Sequence, residues 1–274
     1  MEDLLGSAVA LAAGLSSRFD HDYITGQFQA LRLHHTKVAH LHRRLVCGVD
    51  KVRYRGMRRV ASLLQGLRSQ RVIFAGSQFG PILAGVAALA SIGAKVAGVY
   101  SALSGNNARI LRNCRANFID LNRYKTGFSI LEAMRQLHSD GYVIWLMCDL
   151  PGQSRVHCEF MGYNVRCASL LEVYARVQRC SVVPSYCRVL SDREVSMECG
   201  APLTDYNNMT QCLLSELETL IYEEPINYLW QDSCIVFSDP RALPNGLRCL
   251  PEFLEWRDRA AARNRQAGSA SVMA

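Results

Sequence analysis

The stretch VIFAGSQFGPILAGVAALASIGAKVAGVY, Val72 to Tyr100, decides the fold. Val72-Ile73-Phe74-Ala75 is short, apolar and partly β-branched, which reads as a buried strand. Gly76 to Gly80 reads as a loop. Ile82 to Ile92 is a run of small apolar residues of helical length, ended by Gly93, and Lys95 to Tyr100 reads as a second strand. Strand, loop, helix and strand in that order make one βαβ unit, which implies parallel pairing and a right-handed crossover. The apolar run from Pro81 to Tyr100 is long enough for a membrane span. Gly85, Ser91, Gly93, Lys95 and Gly98 interrupt it, so helix, turn and strand is the better description.

The same alternation continues on both sides. Upstream, Phe28, Leu31, His35, Val38, Leu41 and Leu45 recur at helical spacing over Phe28–Cys47, and Val60, Leu63, Leu64 and Leu67 mark a second short helix. Downstream, Ser129–His138 is helical, Gly141 ends it, and Tyr142–Cys148 is a nearly continuous apolar strand suited to the interior of a parallel sheet. Leu170–Arg179 predicts a helix feeding a strand at Ser181–Val189, with Glu194–Glu198 as its antiparallel neighbour. Thr210–Tyr222 is an amphipathic helix stopped by Pro225. The expected fold class is α/β, a mainly parallel central sheet flanked by helices, with a helical N-terminal cap. The expected organisation is a cap over 1–50, one α/β domain over 51–257 and a flexible tail over 258–274, with no internal repeat.

Of the 274 residues, 49% are apolar and 20% charged, the composition of a folded globular chain. Eleven cysteines, odd in number and without a C-x-x-C pair, read as reduced and mostly buried thiols. No zinc-ligand spacing occurs, so neither a metal nor another cofactor is expected. The run Leu4–Leu15 is about twelve residues long, short of the roughly 20 that span a bilayer. Glu2 and Asp3 precede it in place of a basic signal-peptide region, and it is read as a packed helix in preference to an interfacial anchor. The expectation is a cytoplasmic protein, peripheral to the inner face of the cell membrane. The net charge of +7 is concentrated between Leu31 and Arg71, where eleven basic side chains face one acid, Asp50. Such a block attracts an anionic membrane surface or an acidic carrier protein. Nucleic acid is not expected, because no aromatic-interleaved basic motif accompanies the charge.

Four segments, in order, carry a resemblance. They are Val72 to Gly80 followed by Leu83-Ala84-Gly85; Gly141 to Gly152, ending Cys148-Asp149-Leu150-Pro151-Gly152; Phe160-Met161-Gly162 with Leu170 to Pro184; and Glu223 to Trp230, containing Pro225-Ile226-Asn227-Tyr228-Leu229-Trp230. They resemble the bacterial lipid A late acyltransferases of the lysophospholipid acyltransferase superfamily. There a strand ends in His-Phe-Gly-Asn-Trp-Glu, a second closes on Asp-Gln, a Phe-Phe-Gly follows, and the closing segment reads Pro-x-x-Tyr-x-Trp. The resemblance spans Val52 to Trp230, about two thirds of the chain. It implies transfer of a fatty acyl group from acyl carrier protein or an acyl-CoA thioester to a hydroxyl of a lipid or glycolipid acceptor. In that chemistry a histidine takes the proton of the attacking hydroxyl, and a carboxylate five positions later orients the imidazole.

This chain departs from the pattern at that pair. Gln78 stands in place of the histidine and Leu83 in place of the acid. Each of the seven histidines was tested for an acid at the fifth following position, and none has one. The arginine that follows the closing tryptophan in the family is also missing, since Gln231-Asp232-Ser233 succeeds Trp230. The candidate catalytic residues are therefore Gln78, Asp149 at a strand's carboxyl end, where α/β sheets gather ligands, and His157, a loop imidazole able to act from elsewhere in space. Candidate substrate contacts are Ser77, Phe79 and Gly80 in the loop, and the basic residues Arg112, Arg115 and Arg123. Ser77 lacks the G-x-S-x-G spacing of a nucleophile elbow, and Gly76 with Gly80 is no dinucleotide fingerprint. Two readings follow: an acyltransferase with a relocated base, and a catalytically inactive homologue that binds acyl chains, a carrier protein or another protein.

Overall fold

The computed structural model describes residues 21–81, 83–100, 105–124, 126–149 and 155–228. The run Leu4–Leu15, the residues Leu150–Gly152, Leu229 and Trp230, and the expected tail lie outside these. The protein is an α/β structure built on a seven-stranded, mostly parallel sheet. In chain order the strands are β1 (Arg53–Arg55), β2 (Val72–Gly76), β3 (Val96–Tyr100), β4 (Asn117–Asp120), β5 (Val143–Met147), β8 (Ser181–Ser191) and β9 (Glu194–Cys199). A separate antiparallel hairpin, β6 (Arg155–Phe160) and β7 (Tyr163–Ala168), falls between β5 and β8. The helices are α1 (His21–Cys47), α2 (Met57–Gly66), α3 (Ala84–Ser91), α4 (Gly105–Asn113), α5 (Gly127–Ser139), α6 (Leu170–Gln178) and α7 (Met209–Glu223).

Across the sheet the order is β1-β9-β8-β2-β5-β3-β4. One expectation is corrected here. β2 and β3 run parallel, as a βαβ unit requires, but they are not neighbours: β5 lies between them, with Phe74 opposite Trp145 on one side and Gly98 opposite Trp145 on the other. A crossover fixes direction and handedness; it does not fix which later strand slips into the gap. β9 is antiparallel to β8, as expected, and β1 runs parallel to β9. Val72, Phe74, Trp145 and Val183 face the layer of α1 to α4, while Ile73, Ala75, Ile144 and Val182 face α5, α6 and α7. Both faces are covered, so β2 is buried at every position and its sequence shows no alternation.

A third apolar cluster joins the hairpin to the end of the sheet. Phe160, Met161 and Val165 pack with Phe79, Tyr186, Tyr228, Leu31 of α1 and Leu214, Leu217 and Ile221 of α7. Phe160-Met161-Gly162 is the hairpin's turn, with Met161 and Gly162 both at positive φ. Between β2 and α3 the spacing is set by one indole. A Cβ on Gly85 would stand 2.0 Å from the Trp145 ring, so the small residue is what lets the ring lie between strand and helix.

Candidate functional site

β2 and β5 are adjacent, and the chain leaves them toward opposite faces. After β2 it enters α3 on one layer; after β5 it proceeds through the hairpin to α6 on the other. In open α/β sheets ligands gather beyond the carboxyl ends of the strands at such a point; here the residues at that place, Ser77 to Gly80 with Cys148 and Asp149, are all buried. Ser77–Gly80 and Cys148–Asp149 lie there, tied together by the Cys148 N–H donating to the Gly76 carbonyl at 2.8 Å.

Asp149 is fully buried. Its Oδ2 accepts a 2.9 Å hydrogen bond from the Gln78 backbone N–H and a 3.1 Å bond from the Tyr228 hydroxyl. The loop is further clamped by residues near Tyr228. The Gly80 N–H donates to the Asn227 carbonyl at 2.6 Å, and Phe79 forms an antiparallel bridge with Tyr228. Gly80 itself sits at φ +78°, where a Cβ would be 1.6 Å from the Cys187 carbonyl oxygen of β8, so no other residue fits without moving the sheet. The Ser77 hydroxyl accepts from the Phe79 N–H at 3.2 Å and closes the loop locally. Ser77, Gln78 and Phe79 are all buried. The Gln78 amide oxygen is buried and has no hydrogen-bond partner among the described residues, an exception to the pairing usual for buried polar groups. Leu83, in the position the resemblance gives to an acid, is buried just ahead of α3.

Ser77, Gln78, Phe79, Gly80 and Asp149 are thus brought together, and Tyr228 joins them. The remaining candidates stand apart. His157 is in strand β6, not in a loop, and pairs across the hairpin with Arg166. The alternation that buries Cys158 and Phe160 turns it to solvent. Arg112 lies in the last turn of α4 and Arg115 precedes β4, so both lie at the amino-terminal edge of the parallel strands, opposite the Gln78 loop. Arg123 follows β4 at the carboxyl edge, but it is exposed and paired with Asp120 at 3.4 Å. His138 is held neutral near the amino end of β2: its Nε2–H donates to the Val72 carbonyl at 3.1 Å, so its Nδ1 accepts from the Tyr174 hydroxyl at 2.8 Å. Burial lowers its pKa. His34, buried on α1, has its pKa brought down to about 4 by burial first and then by His35 and Lys37.

Cys148 is pushed well above the ordinary thiol range, by burial first and then by the Asp149 charge. It is a core side chain and no nucleophile at neutral pH. Among the described residues no group of three or more His, Cys, Asp or Glu side chains converges as a metal site, and no helix is long and apolar enough to cross a membrane. Sequence reasoning missed Tyr228 as Asp149's partner, although it belongs to the quoted Pro-x-x-Tyr-x-Trp segment. It also missed Tyr186, whose ring packs edge-on to Phe79 at 6.3 Å. No local signal marks either contact, because the partners lie far apart in the chain.

Fold and site together define an open α/β protein with a buried polar cluster at the carboxyl ends of its two central strands. No family model matches this chain, and no curated protein matches it significantly.

Proposed function

We propose that the protein is a non-catalytic binding protein on an acyltransferase-like scaffold, taking an acyl thioester or a lipid acceptor at the Gln78 crevice. The observation that carries this reading is the use made of Asp149. One oxygen accepts both the Gln78 N–H and the Tyr228 hydroxyl, so this acid orients a loop and a tyrosine. A hydroxyl attacking a thioester needs a base near pH 7, and an amide side chain such as that of Gln78 has no proton affinity in that range. Gln78 and Phe79, Asp149, and Tyr228 come from three of the four segments behind the resemblance, and their convergence supports a shared scaffold. The missing imidazole supports binding over transfer.

The test uses the full chain with acyl carrier protein and CoA thioesters and a panel of lipid and glycolipid acceptors. Thioester or lipid binding without turnover is expected. Gln78→His with Leu83→Glu is expected to create acyl transfer that Asp149→Asn alone does not. Turnover by the unaltered protein would sink the non-catalytic reading in favour of an enzyme with a relocated base. Binding neither donor nor acceptor would sink the scaffold reading itself.

A further inference from the structure

Three consecutive residues of β8 border the Gln78 loop. The Cys187 carbonyl lies against Gly80, where a Cβ would meet it at 1.6 Å. The Arg188 guanidinium carbon stands 5.9 Å from the centre of the Phe79 ring. The Val189 N–H donates to the Asn227 Oδ1 at 3.3 Å, and the Asn227 carbonyl accepts the Gly80 N–H at 2.6 Å. Asn227, buried in the short 3-10 turn Pro225–Asn227 after α7, thus joins strand to loop.

What fixes Asn227 is a carboxylate. The Asn227 Nδ2 donates to the Glu224 Oε2 at 2.6 Å. An ionised carboxylate only accepts, so the amide has one orientation, with its nitrogen toward Glu224 and its oxygen toward Val189. The other oxygen of Glu224 accepts from the Arg188 Nη1. Arg188 is a mostly buried cation among three acids, with Glu198 at 3.0 Å and Glu223 at 3.7 Å beside Glu224. Among the described residues Glu224 alone of the three also bonds Asn227. The planar fork of the guanidinium serves several carboxylates at once, which the point charge of a lysine does less well. An isolated surface ion pair would contribute little. This one orders an amide that orders a strand and a loop.

We propose that Arg188 is a positioning residue for the Gln78 loop: through Glu224 it orients Asn227, and Asn227 holds Gly80. The loop then has two anchors of different origin. Asp149 holds the Gln78 N–H from the end of β5. Arg188, Glu224 and Asn227 hold Gly80, two residues further on, from β8. Between the anchors the Phe79 N–H is taken by the Ser77 hydroxyl, and the Phe79 ring lies by the Arg188 cation. The two anchors fix both ends of the Gln78–Gly80 backbone, and so the direction from which the Gln78 side chain departs. Glu198 and Glu223 keep much of their surface in solvent, so the chain of contacts runs from the surface to a buried loop. The effect on acyl thioester affinity rests on the function proposed above; the placement of the loop does not.

The experiment is amide hydrogen exchange of the full chain without ligand, read residue by residue by NMR. Arg188→Met and Glu224→Gln should each speed exchange of the Gly80 amide by about tenfold, while the Gln78 amide, held by Asp149, stays within about twofold of its original rate. Arg188→Lys should fall between, and Glu223→Gln should leave both amides unchanged. Glu224→Gln is close to isosteric and carries the test even where Arg188→Met does not fold. A purely structural role would speed Gln78 and Gly80 together. That outcome, or an unchanged Gly80 amide in both Arg188→Met and Glu224→Gln, overturns the proposal. Calorimetric titration with decanoyl-CoA follows, and Arg188→Met and Glu224→Gln should weaken it about fivefold, Glu223→Gln not at all. Decanoyl-CoA that binds the unaltered protein and both variants equally also overturns the positioning role. If the unaltered protein binds neither thioester nor lipid while Gly80 alone quickens, the acyl reading falls and the placement of the loop by Arg188 stands.

Discussion

Two polar regions lie within one side chain of each other, and they are built in opposite ways. At the carboxyl ends of β2 and β5, Asp149 is fully buried and accepts hydrogen bonds from Gln78 and Tyr228. Behind Tyr186, Glu216 and Arg59 line a 280 Å³ space, both exposed to solvent and neither in an ion pair among the described residues. A buried acid that holds backbone N–H groups is part of the fold, and removing it strands its donors. An exposed, unpaired charge adds little to stability, because water already solvates it. The acid of the resembling segments is thus bound into the structure, while the Gln78 amide oxygen beside it has no partner among the described residues.

The contrast can be broken most directly at Gly80. Gly80→Ala combines a strained φ with a Cβ placed 1.6 Å from the Cys187 carbonyl, and should cost roughly 3 kcal/mol or more; urea unfolding measures it. Asp149→Ala leaves the Gln78 N–H and the Tyr228 hydroxyl without their acceptor and should cost about 2–4 kcal/mol, Asp149→Asn less. If Asp149→Ala unfolds like the unaltered protein, the crevice is not the structural clamp described and Asp149 is free for chemistry.

Acid stability probes a third kind of buried polar group. His34 is buried neutral, with its folded pKa lowered from 6.5 to about 4. Below pH 6.5 the unfolded chain takes up a proton that the folded chain refuses, so stability is constant above that pH on this account. It declines by up to about 3 kcal/mol as pH falls from 6.5 to 4. His34→Leu should flatten that limb in melting curves recorded from pH 7.5 to 4; an unchanged slope would mean that His34 ionises freely in the folded protein.

The smallest expected effect belongs to the cavity. Arg59→Ala and Glu216→Gln should each change stability by less than about 0.5 kcal/mol. A loss several times larger would make these side chains structural and erase the difference between the two regions.

How much of this was legible depends on how each element is buried. β2, β3, β5 and β8 are covered on both faces, so their apolar runs read directly as interior strands. β1, Arg-Tyr-Arg, and β4, Asn-Phe-Ile-Asp, are edge strands with mostly exposed side chains, and they carry too little hydrophobic pattern to be recognised. The hairpin β6–β7 alternates buried Cys158 and Cys167 with exposed His157 and Arg166. That period-two pattern makes His157 a strand residue, against the loop expected there. Local pattern also placed α1, α3, α5, α6 and α7 within a few residues, apart from an α1 that begins at His21 and not Phe28.

The sequence by itself determined the α/β class, the strands of the sheet's interior, the turn at Gly76–Gly80 and the absence of any histidine with an acid at the fifth following position, because each is a property of periodicity or spacing along the chain. Only the tertiary structure decided that β5 inserts between β2 and β3, that Tyr228 takes up Asp149, that Arg112 and Arg115 lie at the far edge, and that Arg59 meets Glu216 across a cavity. These are contacts between segments tens of residues apart, set by which surfaces the three apolar clusters bury together, and hydrophobic burial is non-directional, so no local pattern records it.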